Sequence, residues 1–203
     1  MIELHTWTTP NGYKPLILLE ELAVPYRVVA VDLSKNQQQT PAFLALNPNG
    51  KIPALLDMAD DAETVHVFES GAILIYLAEK FAQFLPTNGQ ARADTLTWLM
   101  LQMGGVGPMM GQWGHFLGAK REDAYALERY AQESKRILGV LDQRLATQPY
   151  LAGEYSIADM ATYPWIAAAP RFGLTLEAWP NLERWCKAIA ARPAVSRAMA
   201  WKP

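Results

Sequence analysis

The pattern of strands and helices changes once along this chain, near residue 83, and this change restricts the fold more than any other feature. Before it, short β-branched segments alternate with helical ones in the order β-α-β-α-β-β-α. After it, every periodic segment has helical spacing. Alternating strands and helices form an α/β layer, whereas consecutive helices form a bundle. We therefore predict an α/β domain over residues 1–82, a linker over 83–90 and an all-helical domain over 91–203.

The predicted sheet begins with a strand–helix–strand unit. An alternating apolar run at 2–7 precedes a helical pattern over 13–23, and a β-branched run follows at 26–32. Two strands joined in this way are parallel and connected by a right-handed crossover. The later runs at 51–57 and 65–68 are predicted to form an antiparallel hairpin.

Composition excludes several classes of function. The net charge is −2, and no basic patch is interleaved with aromatic residues, so we expect no nucleic-acid partner. The single cysteine, Cys186, excludes an internal disulfide framework, and the three histidines lack metal-ligand spacing, so no metal is expected. The N-terminus does not resemble a signal peptide and no run of 18 apolar residues occurs, so we expect no membrane association and a cytoplasmic location.

The turn Trp7–Gly12 joins the first predicted strand to the first predicted helix. A helix N-terminus presents unpaired N–H groups and a positive dipole to an anion, and Thr and Asn side chains can donate further hydrogen bonds. Thr, Pro, Asn and Gly are also ordinary turn formers. On composition alone both interpretations stay open, and a simple turn is favoured.

Two further helix starts follow the same logic. Ser70 lies at the start of a periodic helix directly after a strand, so we predict that its hydroxyl caps that helix, and the helix N-terminus also suits a carboxylate ligand. The segment Ser156–Asp159 has the spacing of a capping box. Between them, the helical pattern over 92–117 is interrupted by the glycines and proline at 104–108, and we predict a bend or break there. Cys186 lies on a terminal helix, where a buried, unreactive thiol is expected.

Four motifs occur in a characteristic order: Thr9–Gly12, Asn47–Pro53, Phe68–Ser70 and Ser156–Asp159. On the basis of these four motifs and their order, the chain resembles the glutathione transferase superfamily over essentially its whole length. The resemblance implies a thioredoxin-like N-terminal domain and an all-helical C-terminal domain. The turn and the segment Leu127–Tyr130 resemble the bacterial nu class most, whose members act as glutathione-dependent disulfide-bond reductases.

The resemblance also implies a glutathione site. Thr9 and Asn11 stand where the family contacts the sulfur, and we assign them the catalytic role. The remaining positions hold the tripeptide: Gln38 near the glycyl end, Ile52 and a cis Pro53 along the cysteinyl part, Glu69 and Ser70 at the γ-glutamyl end, and Arg129 reaching glutathione in the partner subunit of a homodimer. Lys51 is a further glutathione-binding residue.

The departures from the family restrict the chemistry. The turn carries no cysteine, and no Tyr or Ser stands at the usual activating position, so both thiols must come from glutathione. Hydrogen bonds from Thr9 and Asn11 would lower a thiol pKa of about 8.5 and favour the nucleophilic thiolate. This thiolate would attack a disulfide, and a second glutathione would resolve the mixed disulfide. A transferase that conjugates small electrophiles and a non-catalytic binding protein remain alternatives, and Thr8 is the alternative donor.

Overall fold

The computed structural model describes residues 1–58, 63–119 and 123–203. Within these residues the strands form one four-stranded mixed sheet in the order β2-β1-β3-β4. The strands are β1 (Ile2–Thr6), β2 (Tyr26–Ala30), β3 (Ala54–Asp57) and β4 (Val65–Phe68). The predicted parallel β1–β2 pair and the predicted antiparallel β3–β4 hairpin are both confirmed, and β1 also pairs antiparallel with β3.

The helices follow the predicted alternation. They are α1 (Pro10–Leu22), α2 (Pro41–Leu46), α3 (Ser70–Lys80), α4 (Gly89–Leu101), α5 (Gly107–Leu117), α6 (Ala124–Leu145), α7 (Ile157–Ala167), α8 (Pro180–Ala190) and α9 (Pro193–Ala200). The predicted capping box is confirmed, because the Asp159 carboxylate accepts the backbone N–H of Ser156 at 3.0 Å. The same carboxylate also accepts Leu151 N–H and Trp185 Nε1–H, so it holds three elements of the helical unit together.

The core of the α/β part of the chain lies where α1 and α3 pack beside the sheet. Leu4 of β1 and Leu55 of β3 are almost fully buried, and so are Leu16–Leu19 of α1 and Ile73 and Leu77 of α3. Burying a side chain of this size contributes about 1.5–3 kcal/mol. This packing explains why the loops that follow β1 and β4 are held firmly enough to present a site.

The chain divides into two compact units, residues 1–85 with 192–203 and residues 86–191. The prediction placed 192–203 in the helical domain, and the contacts correct it. Arg192 forms a bidentate ion pair with Glu21 of α1, with Nε 2.6 Å and Nη2 2.9 Å from the carboxylate oxygens. Arg197 of α9 pairs with Glu20 at 2.6 Å. These charges join α9 to α1 in the first unit.

The glycine-rich segment does not break its helix. Residues 102–106 form a π-helical turn, and α4 continues through it into α5. A π turn shifts each hydrogen bond to the residue five positions back, which accommodates a proline that an α-helical interior would not. Further along α5, Gly114 lets a ring approach the helix closely, since a Cβ there would lie 2.8 Å from the Phe172 ring.

Candidate functional site

The sheet topology brings two helix N-termini to one edge. Strands β1 and β4 both run antiparallel to β3, so they run in the same direction and α1 and α3 begin at the same edge. The chain enters β3 at this edge as well, directly after the Ile52–Pro53 peptide bond, which is cis as the resemblance implies.

A cleft in the first unit lies at this edge. Six of the nine predicted site residues line it, together with one residue that was not predicted. The lining residues are Asn11, Asn47, Lys51, Ile52, Pro53, Glu69 and Ser70. Thr9, Gln38 and Arg129 are not among them.

The N-terminus of α1 is closed by its own turn. Helix α1 begins at Pro10, three residues earlier than predicted, and Thr9 is its N-cap. The Thr9 hydroxyl oxygen accepts the backbone N–H of Gly12 at 3.1 Å. A hydroxyl that accepts one bond can still donate its own proton. Thr9 therefore caps the helix and can still donate its hydroxyl proton. Asn11, the second residue of the helix, lines the cleft.

Gly12 holds this corner close to the end of β1. A Cβ at this position would lie 2.0 Å from the carbonyl oxygen of Trp7 and 2.5 Å from the hydroxyl of Thr6. The Thr6 hydroxyl also donates to the Gly12 carbonyl at 3.1 Å. Glycine is required here because no side chain fits between the turn and the helix.

The N-terminus of α3 is built differently. Glu69 is its N-cap with φ 69° and makes no side-chain capping hydrogen bond. A non-glycine residue with this φ costs of order 1–3 kcal/mol, and such strain is found most often at functional sites. Ser70 is the first residue of the helix, so the prediction that Ser70 caps it is wrong. The first backbone N–H groups of α3 therefore have no N-cap side chain that accepts from them. The Ser70 side chain lines the cleft beside them.

The segment Lys51–Pro53, directly before β3, lines the cleft. Among the residues that the structure describes, no hydrogen bond engages the N–H or carbonyl of Ile52. Asn47, only 2% exposed, supports the segment, because its amide donates to the Lys51 carbonyl at 2.6 Å and its Oδ1 accepts Asn49 N–H at 2.9 Å. Backbone groups are normally paired, so an unused pair at a cleft suits an extended peptide ligand.

Lys14 is a second residue that the sequence interpretation did not single out. It lies on α1, is only 1% exposed, and its Nζ is 3.3 Å from the Ser70 hydroxyl. Burial lowers the Lys14 pKa to about 7, and the nearby Glu69 carboxylate opposes this shift. Its position within an apolar stretch, Tyr13–Leu19, is the signal that could have identified it as a buried cation.

Two predicted residues lie elsewhere. Gln38 is in the loop before α2, where its Nε2 is 3.5 Å from Asn36 Oδ1 and its buried Oε1 has no hydrogen-bond partner among the described residues. Arg129 is exposed on α6 in the second unit, where it lines a different cavity with Tyr125 and Arg136. Their proposed contacts with glutathione therefore remain predictions.

The protein's own thiol is unsuited to catalysis. Cys186 lies on α8 in the second unit, and burial raises its pKa to about 11, with a further contribution from Glu183. At neutral pH it is a thiol rather than a nucleophilic thiolate. In the described parts of the chain, no cluster of His, Cys, Asp and Glu is arranged to hold a metal ion, and no helix has the length and apolarity to span a membrane.

Two family models match this chain. The N-terminal domain of glutathione S-transferase matches residues 1–79, and its C-terminal domain matches residues 106–193. The disulfide-bond oxidoreductase YfcG of Escherichia coli (strain K12) is 47% identical over 98% of this chain and 94% of its own length. The chain belongs to the glutathione S-transferase family. The predicted thioredoxin-like domain followed by a helical domain is thereby confirmed.

Solved structures of similar glutathione transferases contain the expected ligand. A family member from Pseudomonas fluorescens pf-5 with two glutathione molecules bound has a TM-score of 0.91 and is 45% identical, covering 98% of this chain and 92% of that one. A glutathione transferase from Pseudomonas putida with one glutathione disulfide per subunit also has a TM-score of 0.91 and is 41% identical, covering 98% and 90%.

Proposed function

We propose that this protein is a glutathione-dependent disulfide-bond oxidoreductase whose cleft in the first unit holds the reacting glutathione. The observation that carries this proposal is the convergence of Asn11, the unused Ile52 backbone and the Glu69–Ser70 helix start in one cleft. The similarity to a disulfide-bond oxidoreductase and to glutathione-bound transferases supports the same conclusion.

Each part of glutathione has a chemical counterpart at the cleft. Glu69 suits the α-ammonium group of the γ-glutamyl end, and Ser70 with the α3 N-terminus suits its carboxylate. The Ile52 backbone would pair with the cysteinyl residue as an added strand does. We assign the glycyl carboxylate to Lys51 and Gln38, because its charge requires a cation or an amide donor.

The sulfur is assigned to the start of α1. Gly12 N–H occupies one lone pair of the Thr9 hydroxyl, so the hydroxyl proton can be donated to a thiolate. The Asn11 amide and the positive end of α1 act in the same direction. Hydrogen bonds to the charged form lower a pKa, so we expect the bound thiol to ionise below its free value of about 8.5.

The reaction balances with two glutathione molecules. A thiolate attacks one sulfur of the substrate disulfide, the S–S bond breaks, and the leaving sulfur takes a proton as a thiol. A second glutathione thiolate attacks the resulting mixed disulfide, which yields oxidised glutathione and the second thiol. The Cys186 thiol is too weakly acidic for either step, so the residues of this chain position and ionise the sulfur without supplying one.

The remaining parts of the proposal concern the oligomeric state and the cellular compartment. We propose a homodimer in which Arg129 of one subunit contacts glutathione held by the other. Arg129 is exposed on α6, as this role requires. We assign the reaction to the cytoplasm, because glutathione is kept there as a free thiol, and its second substrate is a small disulfide or electrophile.

Glutathione-dependent reduction of 2-hydroxyethyl disulfide tests this function. We expect wild type to be active, and Thr9→Ala and Asn11→Ala each to lose about 10- to 100-fold in kcat, the cost of one donor to a developing anion. Cys186→Ser is the matched control and keeps full activity. Unchanged rates in both the Thr9→Ala and the Asn11→Ala variant would remove the catalytic role of the α1 start, and a large loss in the control would assign the chemistry to Cys186.

The alternatives are distinguished by two further measurements. A halonitrobenzene conjugation rate far above the disulfide reduction rate would make this protein a conventional transferase. A wild type with no retention on immobilised glutathione and no thermal shift with oxidised glutathione would make it a non-catalytic relative.

A further inference from the structure

Another cavity of the first unit is lined by residues of β2 and α2. Its volume is about 380 Å³, at the lower end of the range for small-molecule sites. Its apolar walls include Val31, Phe43 and Leu46, and its polar lining residues are His5, Gln37 and Thr40. Among the residues that the structure describes, none lines both this cavity and the cleft at the helix N-termini.

This cavity lies on the sheet face opposite α1. Side chains alternate along a strand, so His5 of β1 lies on the other face from Thr6. The Thr6 hydroxyl donates to the Gly12 carbonyl of α1 at 3.1 Å, which makes its face the α1 face. On the His5 face, Phe43 and Val31 are buried in one hydrophobic cluster. The sheet therefore separates the cavity from α1.

The hydrogen bonds of His5 leave one acceptor unused. Its Nε2 is 2.7 Å from one carboxylate oxygen of Glu3, and Arg27 contacts the other oxygen. A carboxylate paired with an arginine only accepts, so Nε2 carries the ring proton. Burial lowers the His5 pKa, so the ring is neutral at neutral pH and Nδ1 keeps its lone pair. Nδ1 makes no hydrogen bond with any residue that the structure describes.

The other two polar side chains supply one donor. The Thr40 hydroxyl donates to the Gln37 carbonyl at 2.8 Å and accepts Phe43 N–H at 3.4 Å, so it is occupied in capping α2. Gln37 Oε1 accepts Asp32 N–H at 2.8 Å, which identifies Nε2 as the donor end of the amide. Within the described ranges, Gln37 Nε2 has no hydrogen-bond acceptor. The cavity thus offers one uncharged acceptor and one uncharged donor among apolar walls.

A hydroxyl group matches this pair, since it can donate to His5 Nδ1 and accept from Gln37 Nε2. A carboxylate has no proton for Nδ1, and its charge would be repelled by the nearby Glu3. An aromatic body suits the walls, because Phe43 already packs edge-on to the His5 ring at a centroid distance of 6.4 Å.

We propose that this cavity binds a small uncharged phenol. The ring lies against Phe43 and Leu46, and the hydroxyl bridges His5 and Gln37. The site is separate from the cleft, so the inference does not depend on the proposed function.

Isothermal titration of wild type with 2-naphthol and two analogues tests the ligand chemistry. 2-Methoxynaphthalene lacks the hydroxyl proton, and 2-naphthoate carries a carboxylate in its place. We expect the methyl ether to bind about fivefold or more weakly than 2-naphthol, and the carboxylate about tenfold or more weakly. An analogue that binds as tightly as 2-naphthol, or no binding of 2-naphthol up to about 1 mM, would overturn the proposal.

Two alanines of α2 show whether 2-naphthol occupies this cavity. Ala42 and Ala45 are both exposed, but Ala42 lines the cavity and Ala45 does not. Ala42→Trp places an indole ring there and should weaken 2-naphthol binding at least about tenfold, whereas Ala45→Trp, the matched control, should leave it unchanged. Binding that survives Ala42→Trp, or that falls equally in both variants, would contradict this location.

The hydrogen bond to His5 is tested by His5→Phe, which keeps a ring but removes Nδ1. We expect 2-naphthol to bind about fivefold more weakly and the methyl ether to bind as before. An equal loss for both ligands would overturn the role of His5. Should His5→Phe not fold, Gln37→Met removes the donor and should weaken 2-naphthol binding by a similar factor.

Competition with glutathione disulfide distinguishes this site from the cleft. Saturating glutathione disulfide should leave the Kd of 2-naphthol unchanged. A Kd that rises in proportion to glutathione disulfide would place 2-naphthol in the cleft and overturn the inference, while the proposed function would stand. A wild type that binds 2-naphthol but does not reduce disulfides would overturn only the proposed function.

Discussion

The two helices that begin at the cleft, α1 and α3, differ in how their N-termini are capped. Helix α1 begins with Thr9 in extended geometry, φ −127°, and its hydroxyl satisfies the first turn. Helix α3 begins with Glu69 at φ 69°, without a side-chain cap. One start is stable by itself, whereas the other carries backbone strain and lacks a capping side chain. This difference fits our proposal that a ligand carboxylate completes α3, while α1 supplies a preformed corner for the sulfur.

The largest predicted effect concerns the preformed corner. Gly12→Ala would place a methyl group 2.0 Å from the Trp7 carbonyl oxygen, and the backbone must shift to admit it. We expect a loss of at least about 3 kcal/mol in the free energy of unfolding, measured by urea denaturation. Gly139→Ala on α6 is the control, because its nearest neighbour is 3.9 Å away, and it should be neutral or slightly stabilising. Equal stability of the two variants would show that the corner is not tightly held.

The second prediction concerns the lysine between the two starts. The Lys14 pKa is lowered from 10.5 to about 7 in the folded protein, so the unfolded state binds more protons between these values. The free energy of unfolding therefore rises with pH over this window. We expect Lys14→Met to remove that rise, on the order of 4 kcal/mol, in urea denaturation from pH 6 to 10. Parallel curves for wild type and Lys14→Met would contradict the buried, titrating lysine, and Lys202→Met should follow wild type.

A third prediction compares the loss of the Thr9 hydroxyl with the loss of the Ser70 hydroxyl. Thr9→Ala removes a true cap and should lower the free energy of unfolding by about 1 kcal/mol. Ser70→Ala removes no cap, but it removes a hydrogen-bond partner of the buried Lys14 amine, so it should cost more, about 1–3 kcal/mol, while raising the KM for glutathione more than it changes kcat. Thermal denaturation and steady-state kinetics on both variants check this. Equal stability losses would mean that the hydroxyls do the same structural work.

The smallest predicted effect separates strain from charge at Glu69. Glu69→Gly relieves the positive φ and should stabilise the ligand-free protein by up to about 1 kcal/mol. Glu69→Ala keeps the strain, so it should not gain this stability. Both variants lose the carboxylate, so isothermal titration with glutathione should show weaker binding in each. A less stable Glu69→Gly variant would show that the carboxylate, and not the backbone, dominates at this position.

The sequence predicted the strand pairing and the cis proline because these depend on local pattern or on a family motif. Lys14 escaped prediction because its contact with Ser70 spans 56 residues and is set by the fold. Asn47 escaped prediction because asparagine is an ordinary turn former, and its hydrogen bonds to Lys51 and Asn49 become evident only in the structure. Ser70 was misassigned as a cap because a one-residue shift of the helix start cannot be read from composition. The membership of α9 in the first unit depends on ion pairs across more than 170 residues.

The central claim is that the start of α1 holds a glutathione sulfur as an anion. The most direct measurement is an ultraviolet titration of thiolate absorbance for glutathione bound to wild type, Asn11→Ala and Thr9→Ala. We predict a pKa at least about one unit below the free thiol value of about 8.5 in wild type, and a return toward that value in both variants. A bound thiol that titrates like free glutathione in wild type, or a lowered pKa that survives both substitutions, would contradict the account.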